Sequence, residues 1–327
     1  MNVVIIGAGF AGAATAYALT RLGAGSGVIL ERESAVGVHA SGRNAGLLKV
    51  SEDDAIIRTL AVRTAAHLST IDTGELNLVH RTGGLTLVPA EAAGGLRHLA
   101  DDLSNAGVAC EVLDAAAARD RFPLLRHLAG DTFDAALWCP TEGVVDVHAL
   151  LTHYLRVARA GGFSLRTNCG VNDLLWEGGR VIGVDTSMGV IRADVVIDAT
   201  GAWAGRLGRS ERRLPLQPVR RHLFVSGPVE GASRDVPFVW IDGANFYWRG
   251  EGDGLLLSPC DETPVEPGLP SPDPAAAELL AHKLARHAPG FGVMTSAAVG
   301  ELAAALLVGN RVDWLDTNAV DPVRYLL

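Results

Sequence analysis

The sequence predicts an α/β fold, in which a Rossmann-like domain of the two-dinucleotide-fold type is joined to an antiparallel β-sheet domain. Three observations predict it. The apolar run Asn2-Val-Val-Ile-Ile6 ends abruptly at glycine, as a strand buried on both faces does. Gly7-Ala-Gly9-Phe-Ala-Gly12 follows it and opens a helical stretch. Leu214 to Ser258 is rich in β-formers broken by the turn signals Asp242-Gly243 and Asp253-Gly254.

The elements follow in chain order. Ala11 to Leu22 reads as a helix and Gly27 to Glu31 as a second buried strand, which completes a βαβ unit. A helix fits Asp54 to Ile71, with Asp53 or Asp54 as N-cap. Leu85 to Val88 reads as a strand, Glu91 to Ala106 as a helix, and Asp114 caps a short helix that stops at Pro123. Alternation over Thr132 to Trp138 marks a strand, and Asp146 opens a helix that runs to Gly161. Short strands fit Phe163 to Thr167, Val181 to Thr186, Gly189 to Arg192 and Val195 to Asp198. Thr263 to Pro274 carries five prolines and reads as a loop, followed by helices over Asp273 to His287 and Thr295 to Val308.

Size and charge narrow the function classes. At about 150 residues per domain, 327 residues predict roughly two domains, or one large α/β body with an insertion. Apolar residues at 48 % against 20 % charged supply a sizeable core and exclude a disordered chain. A net charge of −9 repels phosphate backbones, so nucleic acid is not an expected partner. Cys110, Cys139, Cys169 and Cys260 form no CxxC pair, and the histidines form no HxxH or HExxH arrangement, so no metal is expected. Val3 to Leu19 lacks charge but holds three glycines, follows no basic region and is short for a span. A cytoplasmic protein with reduced thiols and no membrane span is the resulting expectation.

The glycine pattern has a specific chemistry. Gly7 makes the tight turn, Gly9 lets the backbone approach a pyrophosphate, and Gly12 lets helix and strand pack closely, with the helix N-terminus facing the anion. Glu31 lies nineteen residues after Gly12 at the end of the second strand, where an acid accepts hydrogen bonds from ribose hydroxyls and disfavours a 2′-phosphate. FAD and NAD remain. A second buried strand ending in Ala199-Thr200-Gly201 favours FAD, because such strand ends recur beside the diphosphate in two-dinucleotide flavoprotein folds.

Five further stretches carry a family resemblance: Ser41-Gly-Arg-Asn-Ala-Gly46, Pro140-Thr-Glu-Gly143 with Asp146, Ala199-Thr-Gly-Ala-Trp203, Leu216-Gln-Pro-Val-Arg-Arg221, and Gly290-Phe-Gly-Val-Met-Thr-Ser-Ala-Ala-Val-Gly300. In these the chain resembles the FAD-dependent oxidoreductases of the D-amino-acid oxidase superfamily, in particular the D-arginine dehydrogenase and glycine oxidase branch. The resemblance implies FAD held by Gly7, Gly9, Phe10, Ala11, Gly12, Glu31 and Arg32 on the ADP side. It places Ser41, Gly42, Arg43, Asn44 and Ala45 along the diphosphate toward the flavin, and Val171 near the adenine. Thr200, Gly201, Trp203, Gly290 and Gly292 complete the set. It further implies a discontinuous FAD-binding domain over 1–80, 145–210 and 288–327, with a substrate domain over 81–144 and 211–287.

For catalysis the resemblance points to Arg220, with Arg221 beside it, as the cation for a substrate carboxylate, and to Tyr247 as a second carboxylate contact. The implied reaction is oxidation of an amine or D-amino acid, with a hydride passing from the α-carbon to flavin N5, hydrolysis of the imine, and oxygen or a quinone as the electron acceptor. One departure stands out. Relatives carry a Trp-x-Gly-x-Arg segment before the last helix, whereas here the helix ending at His287 runs almost directly into Pro289-Gly290. A catalytically degenerate flavin-binding paralogue is therefore the alternative, with Arg286 the nearest replacement cation if turnover persists.

Overall fold

The computed structural model describes residues 1–71, 77–208 and 215–290. Along the chain run β1 (Asn2–Ile6), α1 (Phe10–Arg21), β2 (Ser26–Leu30), β3 (Leu47–Leu48), α2 (Ala55–Leu68), β4 (Val79–His80), β5 (Gly84–Val88), α3 (Ala93–Asn105) and β6 (Glu111–Asp114). Next come α4 (Ala115–Arg121), β7 (Ala135–Cys139), β8 (Gly143–Val145), α5 (Val147–Ala160), β9 (Phe163–Arg166), β10 (Val171–Glu177), β11 (Arg180–Thr186), β12 (Gly189–Arg192) and β13 (Val195–Asp198). The rest are β14 (Val219–Arg220), β15 (Phe224–Val225), β16 (Phe238–Ile241), β17 (Phe246–Glu251), β18 (Gly254–Ser258), β19 (Thr263–Pro264) and α6 (Pro274–His287). The last predicted helix, over Thr295 to Val308, lies outside the described residues.

The βαβ unit is present as read. Its sheet is parallel, in the order β13-β1-β2-β9. Val3 and Ile5 pack with residues of α1 and α5, while Val4 and Ile6 pack with Cys169 and Val184 on the opposite side. Both faces are covered, which is why β1 is apolar without alternation. The second cover is a meander, β10-β11-β12, whose first strand the sequence reading left out. Four aspartates cap helices: Asp54, Asp114, Asp146 and Asp273 each accept a backbone N–H from the first turn of α2, α4, α5 and α6. Asp54, not Asp53, is thus the cap of α2.

The larger sheet has seven strands in the order β15-β18-β17-β16-β5-β7-β6. It is antiparallel except where β16 lies parallel to β5, so segments 84–139 and 224–258 build one layer. One face is aliphatic and aromatic: Leu85, Leu87, Val239, Ile241, Phe246, Trp248, Leu255 and Leu257 pack with Leu280 and Leu284 of α6. The other face differs in character and forms the candidate site below. No described helix is long and apolar enough to cross a membrane.

Candidate functional site

The first part of the site is the turn between β1 and α1. Gly7 has φ +104, and a Cβ there would lie 2.4 Å from the Ala199 carbonyl oxygen at the end of β13. At Gly12 a Cβ would lie 2.0 Å from the Gly7 carbonyl oxygen, so both positions exclude any side chain. A Cβ on Gly9 would lie 2.7 Å from Ser41 Oγ, and that hydroxyl accepts the Phe10 backbone N–H at 2.9 Å. The segment carrying Ser41 therefore lies directly against the helix N-terminus, where first-turn N–H groups have no intrahelical partner.

Glu31 is buried beside this turn. Its Oε2 accepts the Ala8 N–H and its Oε1 the Glu33 N–H, each at 3.0 Å. Each oxygen keeps a lone pair for a ribose hydroxyl. Arg32 places its guanidinium 4.8 Å from the Trp203 ring centroid and pairs with Glu33. His39 meets the same Trp203 edge-on and bonds Glu33 through Nε2. Asp198 ties Thr200 through both its N–H and its hydroxyl, and Gly201 follows at φ +56.

From Ser41 the chain turns toward the larger sheet. Gly42 donates its N–H to the His39 carbonyl, and a Cβ on it would strike the Gly37 carbonyl oxygen at 2.3 Å. Arg43 is exposed. Asn44 donates to the Ala40 and Ser41 carbonyls and accepts the Gly46 N–H, so its amide ties the turn together. The Ala45 carbonyl accepts Arg249 Nε of β17 at 2.7 Å. Val171 begins β10 and packs with Cys169 beside β1 and β2. Gly290 is not brought to this region, since a Cβ on it would meet His127 Cα at 2.7 Å, and Gly292 lies outside the described residues.

The second part of the site is a row across the seven-stranded sheet. Thr86, Trp240, Tyr247 and Ser258 are successive cross-strand partners on β5, β16, β17 and β18. Trp240 and Tyr247 stack with centroids 5.1 Å apart and planes 9° apart. Burial pushes the Tyr247 hydroxyl above the usual tyrosine range, partly offset by its hydrogen bond with Ser258. Lys49 holds its ammonium 5.4 Å from the Trp240 centroid, donates to the Ser51 carbonyl and pairs with Glu52 at 3.4 Å. The Ser51 and Thr86 hydroxyls are 3.1 Å apart. Beneath them lies Glu142, fully buried, whose Oε1 accepts the Val50 and Ser51 N–H groups at 2.6 and 2.8 Å. Burial pushes its carboxyl above the usual carboxylate range.

The two expected arginines both carry acidic partners, and Arg221 lies near Tyr247. Arg220 donates to Asp273 Oδ2 and to the Ser271 carbonyl, both at 2.7 Å, and so anchors the start of α6. Arg221 pairs with Glu262. Arg286, on α6, pairs with Asp131 and is mostly exposed. Lys49, Trp240 and Glu142 were missed by the sequence reading. A lysine three residues beyond Gly46 and an aromatic on each side of the Asp242-Gly243 turn signal were the signals available.

This pairing of a glycine-lined βαβ turn with a polar, aromatic sheet face defines the class of flavin-linked oxidoreductases. Residues 2–311 match the DAO family of FAD-dependent oxidoreductases, and the chain belongs to that family. Human mitochondrial sarcosine dehydrogenase is 29 % identical over 274 residues, which cover 81 % of this chain and 29 % of that protein. Glycine oxidase of Pseudomonas putida strain KT2440 is 32 % identical over 177 residues, 51 % of this chain and 46 % of that one. The chain thus spans under a third of the length of the first of these relatives. Among solved structures, L-proline dehydrogenase from P. horikoshii has a TM-score of 0.74 at 19 % identity, covering 99 % of this chain and 97 % of that one. Glycine oxidase from Geobacillus kaustophilus has a TM-score of 0.68 at 22 % identity, covering 88 % and 78 %.

The residues present fit FAD. The glycine cradle is one that a Cβ would fill, the helix N-terminus suits a diphosphate, and the buried acid suits a ribose.

Proposed function

We propose that this chain oxidises a small amine or amino acid that carries a carboxylate, with residues 7–12, Glu31, Arg32 and Ser41–Ala45 holding FAD and the Thr86–Ser258 row facing the substrate. When bound, FAD supplies the two-electron acceptor for a C–H bond next to nitrogen, and oxygen or a quinone-type acceptor reoxidises it. The observation that carries the reading is continuity. The Ser41–Ser51 segment begins against the nucleotide turn and ends over the Trp240–Tyr247 stack.

Within that reading Lys49 takes the carboxylate. Its ammonium has three donors, of which Ser51 and Glu52 engage two, leaving one for a carboxylate oxygen. Trp240 and Tyr247 form an apolar floor that excludes water and strengthens this ion pair. Arg220 anchors the start of α6 through Asp273 and Ser271, whereas Arg221, paired with Glu262 near Tyr247, keeps free donors for a second carboxylate contact. Sarcosine, dimethylglycine, glycine, proline and a panel of D-amino acids, added without oxygen to flavin-loaded protein, test the proposal. Bleaching of the flavin by at least one is expected. A flavin that none of them reduces would favour the degenerate paralogue.

A further inference from the structure

We infer that Cys110 and Cys139 form a reversible modification site, a dithiol that peroxide converts to an intramolecular disulfide between β6 and β7. The register carries the argument. Glu111 pairs with Trp138 and Val112 with Leu137 in an antiparallel ladder, so the next opposed pair is Cys110 and Cys139. Alternation sends both thiols to one face, and Cys110, Val112, Leu137 and Cys139 do share a single cluster beneath α3. Directly opposed residues hold their Cβ atoms about 4.5–5.5 Å apart, and a disulfide needs about 3.5–4.5 Å, so the strands must close by roughly 1 Å.

The two sulfurs differ in a way that divides the chemistry between them. Cys110 is half-buried and donates its S–H to the Ala100 carbonyl at 3.4 Å, whereas Cys139 is fully buried. Cys110 is therefore the thiol that peroxide reaches. Its sulfur attacks one peroxide oxygen, the O–O bond breaks, and the departing hydroxide takes a proton to become water, leaving a sulfenic acid. The Cys139 sulfur then attacks the Cys110 sulfur. The S–S bond forms as the S–O bond breaks, and the second water leaves with the Cys139 proton. The thiol pair loses two electrons and peroxide gains them. Burial pushes the Cys139 thiol well above its usual range, which slows this second step. Val50, next to Lys49, packs in the same cluster as Cys139, and Leu137 of that cluster pairs with Thr86, so the new bond lies on the same face of the sheet as the candidate substrate row.

The test treats the full chain with stoichiometric hydrogen peroxide, blocks remaining thiols with N-ethylmaleimide, and maps the digest by mass spectrometry. The expected product is one linked pair of peptides, containing Cys110 and Cys139 and lighter by two hydrogens, which reductant separates. Cys169 and Cys260 should remain alkylated. The half-buried Cys110→Ser protein is the control that keeps its fold, and it should yield no linked peptide. Sulfinic acid at an unlinked Cys110, a link to Cys169 or Cys260, a link between two chains, or two fully alkylated thiols would each overturn the inference.

Discussion

Glu142 offers the sharpest test of how the site is built. Its carboxyl is the acceptor for two buried N–H groups, those of Val50 and Ser51, which set the path of the segment carrying Lys49. Glu142→Ala removes that acceptor, and each buried N–H left without a partner costs about 1–3 kcal/mol, so the loss is roughly 2–6 kcal/mol for the two. Against a typical net stability of about 5–15 kcal/mol, that is a large fraction. Glu142→Gln keeps an oxygen in place and resembles the protonated acid. Its effect depends on pH, and the sign follows from the direction of the shift.

Burial raises the folded-state pKa of Glu142 above its ordinary value of 4.5. The stability associated with its protonated form is then complete below pH 4.5 and is lost as pH rises through the folded pKa. The maximum slope is about 1.4 kcal/mol per pH unit for one proton. Glutamine does not titrate, so the Gln variant should gain on the native protein as pH rises from 4.5 toward neutrality. Urea unfolding of all three proteins across that range measures it. A Gln-minus-native difference that stays flat with pH, or an Ala variant as stable as the Gln variant, would refute this account of the buried carboxyl.

Gly9→Val pushes a side chain into Ser41 Oγ and the proposed diphosphate path, so the protein should purify without flavin colour while its circular dichroism stays native. Full FAD occupancy would remove the glycine turn from the cofactor site. Glu31→Ala forfeits charge-assisted bonds worth about 1.5–3 kcal/mol, which corresponds to FAD binding weaker by roughly ten- to a hundredfold in equilibrium titration. Lys49→Met should raise KM for carboxylate-bearing substrates by about ten- to a hundredfold and leave carboxylate-free amines unaffected. Arg220→Met should do the reverse, lowering the unfolding midpoint through the lost Asp273 contact with KM unchanged. A KM effect at Arg220 and none at Lys49 would restore the arginine as the anchor.

What the sequence determined by itself is what depends on residues close in the chain. The βαβ unit, the glycine turn and Glu31 were legible because strand period, turn geometry and the spacing to an acid are local. So were caps such as Asp114 and Asp146, since an N-cap side chain reaches only two or three residues ahead. Tertiary structure decided what required distant segments to meet. Arg220 and Arg221 look alike to any local rule, and only the return of Glu262 and Asp273 against them shows that both charges are engaged. Trp240, Tyr247 and Lys49 come together because β16 and β17 pair in one particular register and the segment after Gly46 crosses them. Glu142 stands in the sequence only as part of the Pro140–Gly143 stretch and becomes a buried carboxyl when residues 50 and 51, more than ninety positions earlier, direct their N–H groups at it. Desolvation and ion pairing depend on distance in space, and in this chain those distances are set by pairings between remote strands.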